Sequence, residues 1–262
     1  LESAKREVMK LIEILEEDFG FSKQELILAF SGHRGYHVQV EAESIKTLDS
    51  MARREIADYL AGTGLEPMLH GVNTKTCVGP NLEDVGWKGR IAKGTYELLA
   101  SQEELEKAGL KKVSAAIGSQ GKVVQDRWRK KGPWGLVVGV GAEGWENIVQ
   151  AAVAMQSVKI DTVVTADVHR LIRLANTIHR ETGLRKVQIL PSGIEQFDPF
   201  RSAIAFNQGF VTVDIVEAPE FRIEDTSYGP FKNQRVELPT AAAMFLLCKG
   251  AAHTTEDSAT VQ

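Results

Sequence analysis

Cysteine is scarce in this sequence: only Cys77 and Cys248 occur in 262 residues. They lie too far apart to form a C-x-x-C pair, so a zinc site built from this chain alone is not expected, and a reducing compartment is. An excess of positive charge is also missing. The 31 Lys and Arg against 35 Asp and Glu leave a net charge of -4, which argues against a uniformly basic nucleic-acid coat and leaves room only for local basic patches. No apolar run approaches the roughly 18 residues that a membrane span needs. Neither a secretory pattern nor an internal repeat is visible, so a cytoplasmic protein without a membrane partner is expected. What is present is an apolar content of 43%, enough to bury the core of one large domain or two small ones.

The opening LESAKREVMKLIEILEEDFGF places Val8, Leu11, Ile12, Leu15 and Phe19 on one helical face. This helix starts at a leucine without a cap, and the expectation is that the sequence is a fragment whose N-terminus lies upstream. ELILAF (25–30) and YHVQV (36–40) read as a hairpin with a five-residue loop. The segment 47–60 reads as a helix closed by Gly62, and 62–86 as a surface excursion without a period. Helical pattern returns over 90–108. A strand over 136–140, a helix over 144–157 and a strand-like run over 159–165 follow, then strands near 187–190 and 210–216 and a helix near 239–248. The last residues, 251–262, read as a disordered tail.

Four segments carry candidate chemistry. GVGAEG (139–144) fits G-x-G-x-x-G, and Asp161 stands where a dinucleotide-binding fold would hold the ribose. Taken alone it points to a nicotinamide-dependent oxidoreductase resting on Gly141 and Gly144, or to a tight turn into a helix. KVVQDRWRKKGPW (122–134) interleaves basic residues with tryptophan, a composition suited to phosphate and base contact. A solvated charged loop has the same composition, and on this stretch alone it is the favoured reading. The hairpin loop in LAFSGHRGYHVQV (28–40) gathers a hydroxyl (Ser31), a forked cation (Arg34) and two imidazoles (His33, His37), all donors suited to phosphate oxygens. Gly32 and Gly35 allow close backbone approach to a ligand. Finally, KIDTVVTADVHRLIRLANTIHRETG (159–183) sets Asp161 and Asp167 beside His169, Arg170, Arg173 and His179. Carboxylates hold Mg²⁺ or Mn²⁺ through oxygen, and cations neutralise the phosphates around the ion.

Three blocks in order resemble the archaeal and eukaryotic DNA primase small (catalytic) subunit. FSGHRGYHVQV is similar to the family's S-G-x-R-G-x-H hairpin. DTVVTADVHRLIRLANTIHRETG is similar to its D-x-x-V-T-x-D-x-x-R-L-I-R-L-P-x-x-x-H-x-x-T-G segment, and FDPF (197–200) to a further block. The resemblance implies an α/β (α+β) primase catalytic fold, a mixed β-sheet flanked by helices, over 1–262, with about 62–135 as a smaller variable insertion. It implies template-directed primer synthesis on single-stranded DNA during replication, by nucleotidyl transfer with two Mg²⁺ or Mn²⁺ ions. Ser31, His33, Arg34, His37, Arg173 and His179 would bind the incoming nucleoside triphosphate, and Asp161 would be the third of three metal-holding aspartates. Arg127, Trp128, Arg129, Lys130 and Lys131 would contact the template. Asp167 and Arg170 would support the fold. Ala175 replaces the family's proline.

The family's upstream D-x-D pair, and the cysteine/histidine module that would hold Zn²⁺ in an intact protein, have no counterpart in these residues. The fragment alone is therefore expected to be inactive. A large primase subunit is the implied partner. The histidine of SGHRG and the lack of a long acidic insertion point to the archaeal replication machinery. A noncatalytic single-strand nucleic-acid binding module is the remaining alternative.

Overall fold

The computed structural model describes residues 1–254 except 122, 124–125, 127, 129–133 and 136. Along the chain run helix α1 (Glu2–Glu17), strands β1 (Leu26–Phe30) and β2 (Tyr36–Val40), and helices α2 (Ser50–Ala61) and α3 (Gly86–Ala100). Then come α4 (Ala142–Gln156), α5 (Thr162–Ala166), strands β3 (Val187–Ile189), β4 (Phe210–Ala218), β5 (Phe221–Ile223), β6 (Thr226–Tyr228) and β7 (Phe231–Pro239), helix α6 (Thr240–Cys248) and strand β8 (Ala252–Thr254). Short helical turns fill the connections. Among the described residues no helix is long and apolar enough to cross a membrane.

The chain divides into two units of interleaved segments. The first holds 1–9, 21–47 and 169–262, and the second 10–20 and 48–168. All described strands fall in the first unit, where they make three antiparallel sheets, ordered β2-β1-β3, β7-β4-β8 and β5-β6. The expected helix-and-sheet class is found, with several small antiparallel sheets in place of one mixed sheet. Ala252–Thr254, inside the stretch read as a tail, pairs with β4.

The core of the first unit gathers Phe30, Leu184, Phe197, Val213, Ile215, Leu238 and Leu246. Each such side chain removed from water contributes about 1.5 to 3 kcal/mol. In β4 the period of two places Val213 and Ile215 inward, and α6 supplies Ala242, Ala243 and Leu246 to the same core. On the other face Asp214 and Arg235 stand directly opposite and pair through two contacts of 2.7 and 2.9 Å.

The second unit is helical. Helix α2 begins at Asp49, whose carboxylate accepts from the Ala52 amide at 2.8 Å, and ends at Gly62 with φ 65°, a conformation that favours glycine. Helix α3 lies against α4 so closely that a Cβ on Gly94 would come within 2.9 Å of the Ala152 carbonyl oxygen. Trp87, Ile91, Leu98, Trp145 and Ile148 are buried there. Arg90 is also buried and grips Asp18 through Nε at 2.7 Å and Nη2 at 3.1 Å, while the Tyr59 hydroxyl donates to the same carboxylate at 2.8 Å.

Two sequence expectations are corrected in this unit. The strand over 136–140 is absent from its described residues: Val138 and Gly139 lie in a turn, and Gly144 sits inside α4. The strand-like run 159–165 contains helix α5, because Asp161 caps it by accepting from the Val164 amide at 3.2 Å. Without a strand entering GVGAEG and without a parallel sheet among the described residues, the dinucleotide-fold reading loses its structural context.

Candidate functional site

The hairpin β1–β2 sits beside β3 in the first unit. In register, Phe30 faces Tyr36 on one side and Val187 on the other, and Ala29 faces His37 and Gln188. Alternation assigns these rows to opposite faces. Phe30, fully buried, packs against Tyr36 at 5.7 Å and Phe197 at 5.8 Å between ring centroids. His37 therefore stands on the opposite face, as its place in YHVQV predicts. Burial raises the Tyr36 hydroxyl to about 12, with help from Glu2 and Asp198.

The loop between the strands is shaped by its own small residues. The Ser31 amide donates to the Gly35 carbonyl at 2.9 Å, and the Ser31 hydroxyl accepts from the amides of His33 and Gly35, both at 3.3 Å. Gly32 has φ 85°, and a Cβ there would come within 3.1 Å of both the His179 Cβ and the Leu184 carbonyl oxygen. Its own carbonyl accepts from the buried Thr182 hydroxyl at 2.6 Å. The hairpin loop and the HRETG turn are thereby fastened together.

This junction brings the histidines into contact. The His33 and His179 rings stack, with centroids 4.7 Å apart and 22° between planes, and His33 Nε2 lies 3.8 Å from the Glu181 carboxylate. The Glu181 amide donates to His179 Nδ1 at 3.2 Å, so the neutral ring carries its proton on Nε2 and presents a donor there. Arg173 is exposed and donates through Nη1 to the Ile178 carbonyl at 3.1 Å. Arg34 is exposed at the loop and has no ion-pair or hydrogen-bond partner among the described residues.

Electrostatically the cluster is short of negative charge. Burial, then Lys186 and Arg173, push the His37 pKa below 6.5. Burial, then Arg173 and His33, push His179 the same way, against the pull of Glu181. The ligand atoms of His33, His179 and Glu181 lie within 4.8 Å of one another. Nearly parallel rings direct their in-plane lone pairs side by side, however, and one nitrogen of His179 is already an acceptor. Donors amid uncompensated cations suit a polyphosphate better than a metal ion.

Ser31, His33, Arg34, His37, Arg173 and His179 thus belong to one unit, on the hairpin and the segment beside it. Asp161 belongs to the second unit, exposed, with one carboxylate oxygen capping α5. Its remaining oxygen is a hard donor suited to Mg²⁺ or Mn²⁺, although a single carboxylate does not make a two-ion site. The proposed template run is corrected at Trp128. This ring is 2% exposed and packs edge-on against Tyr96 at 5.3 Å, so it offers no face to a base. A basic surrounding sequence does not reveal which way a tryptophan turns. Arg127, Arg129, Lys130 and Lys131 lie outside the described residues. Sequence reasoning missed Thr182 and the buried Lys186. The first was visible only as the T of the T-G signature, and nothing in a basic stretch marks the second as buried.

An α+β protein with an anion-suited cluster on a short hairpin is the class these observations define. Residues 1–190 match the family model for the DNA primase small subunit. Across an alignment 285 positions long the chain is 33% identical to the DNA primase small subunit PriS of Methanothrix thermoacetophila, covering 96% of this chain and 70% of that protein. It is 30% identical to PriS of Methanococcoides burtonii, again over 96% and 70%, and 34% identical to PriS of Archaeoglobus fulgidus over 96% and 65%. The chain belongs to the DNA primase small-subunit family. That membership supports a primase role in DNA replication.

Proposed function

We propose that this chain binds the incoming nucleoside triphosphate of a primase at the SGHRG hairpin, for template-directed primer synthesis on single-stranded DNA. The observation that carries the reading is the junction itself: Gly32 and Thr182 join two sequence blocks 150 residues apart, and the histidines and cations converge there with little negative charge among them. Arg34 and Arg173 neutralise the phosphates. His37 and the Nε2 proton of His179 donate to them, and the stack of His33 on His179 fixes the direction of that donor.

Two divalent ions, when bound, would supply a more nucleophilic 3′-hydroxyl and a stabilised pyrophosphate leaving group. Asp161 would hold one of them through the oxygen that does not cap α5. The rest of the catalysis asked of the protein is positioning and charge neutralisation. A large primase subunit, a single-stranded template and nucleoside triphosphates are the partners in this reading.

Asp161→Asn tests it, because asparagine caps a helix as well as aspartate does and leaves α5 intact. Mn²⁺ should strengthen triphosphate binding to the parent chain and lose that effect in the variant, with unchanged binding in EDTA. An undiminished Mn²⁺ effect would remove Asp161 from the site. As one carboxylate does not hold two ions, the chain by itself should bind triphosphate but make no primer; template-dependent incorporation into oligonucleotides on a gel would contradict this.

A further inference from the structure

Three basic side chains are buried among the described residues: Lys5, Arg90 and Lys186. Lys5 faces Glu2 at 3.1 Å, and Arg90 faces Asp18, Glu17 and Glu13. Lys186, 3% exposed, has no carboxylate within ion-pair distance among the described residues; its Nζ donates to the Arg173 carbonyl at 2.7 Å. Burying an ammonium without a counter-charge is unfavourable. Burial and Arg173 accordingly lower its pKa. Such a group calls for negative charge from elsewhere.

Its place says where that charge arrives. The β1–β3 register pairs Phe30 with Val187 and Ala29 with both Gln188 and His37, so Lys186 immediately precedes the strand that flanks the His37 row, and its charge acts on His37. Lys186 also organises the loop that carries Arg173: its amide donates to Thr177 at 2.9 Å, its carbonyl accepts from Asn176 at 2.9 Å, and its side chain closes on Arg173 itself.

We propose that Lys186 is a further residue of the triphosphate site, a buried ammonium that anchors the Arg173 loop and supplies positive charge beside His37 that the phosphate chain of the nucleotide neutralises. The inference rests on the nucleotide reading of the hairpin. It predicts sensitivity to the number of phosphates, which a merely structural lysine would not give.

The test compares equilibrium binding of fluorescent ATP, ADP and AMP analogues by the parent chain, Lys186→Met and Arg34→Ala. Lys186→Met keeps the stem and removes the charge. It should weaken ATP binding about tenfold or more, ADP less and AMP least, and the His37 NMR titration midpoint should rise in the variant. Equal losses for the three nucleotides, or none, would overturn the proposal. Should Lys186→Met not fold, the parent chain with labelled lysine answers the same question: ATP should move the Lys186 titration to higher pH and AMP less so, and an unmoved titration would refute it. Loss in Arg34→Ala with none in Lys186→Met defeats only the lysine inference, whereas ATP binding indifferent to Arg34→Ala defeats the hairpin reading beneath it.

Discussion

His37 is the residue on which the electrostatics of the hairpin converge. Its pKa lies below 6.5 because burial and the charges of Lys186 and Arg173 disfavour the imidazolium. As pH falls through 6.5 toward the depressed value, the unfolded chain takes up its proton first, so stability declines across that window and is independent of this group above it. His70 and His179 shift in the same direction, so the measurement is a difference. Thermal unfolding of the parent chain should lose stability between neutral pH and pH 5, and His37→Gln should lose less. The proposed donors were named from type and spacing: a hydroxyl, a guanidinium and two imidazoles between Ser31 and His37. Lys186 was not legible, since a lone lysine before a strand looks like any surface cation and only burial without an acid distinguishes it.

At the scale of elements, the junction of the hairpin with the HRETG turn depends on two contacts. Gly32→Ala would place a Cβ at φ 85° and within 3.1 Å of two neighbours, which should destabilise the fold by about 1 to 3 kcal/mol. Thr182→Val strands the Gly32 carbonyl and should lose about 1 to 3 kcal/mol. Chemical denaturation reads both, and both variants should bind triphosphate more weakly because the His33–His179 stack spans the same junction.

Helices α1 and α2 were readable from their apolar period, and β2 from alternation. Two elements were not. VVT in α5 has strand-like composition, and the Asp161 cap decides for a helix. In β7 only Leu238 is buried, so FKNQRVELP shows no alternation to read; pairing with β4 makes it a strand.

Over the whole molecule, each unit is assembled from segments far apart in sequence. The expected insertion at 62–135 falls wholly within the second unit, but that unit also takes in 10–20, 48–61 and 136–168, a division that local periodicity cannot reveal. One long-range lock in the second unit is Arg90 on Asp18. Arg90→Met leaves a carboxylate that is 6% exposed without its cation, and the chain should lose about 3 to 5 kcal/mol in a urea titration; a loss below about 1 kcal/mol would class the pair with exposed ones. The G-x-G-x-x-G match misled because a local pattern says nothing of the sheet it requires.

In the proposed reading the SGHRG hairpin is a triphosphate cradle. Its most direct test is equilibrium binding of a fluorescent ATP analogue with Mn²⁺ to the parent chain and to Arg34→Ala and His37→Ala, with excess NAD⁺ as competitor. Affinity should fall about tenfold or more in each variant, as befits loss of a charge-assisted phosphate contact, and NAD⁺ should leave it unchanged. Displacement by NAD⁺, with both variants binding like the parent, would contradict it.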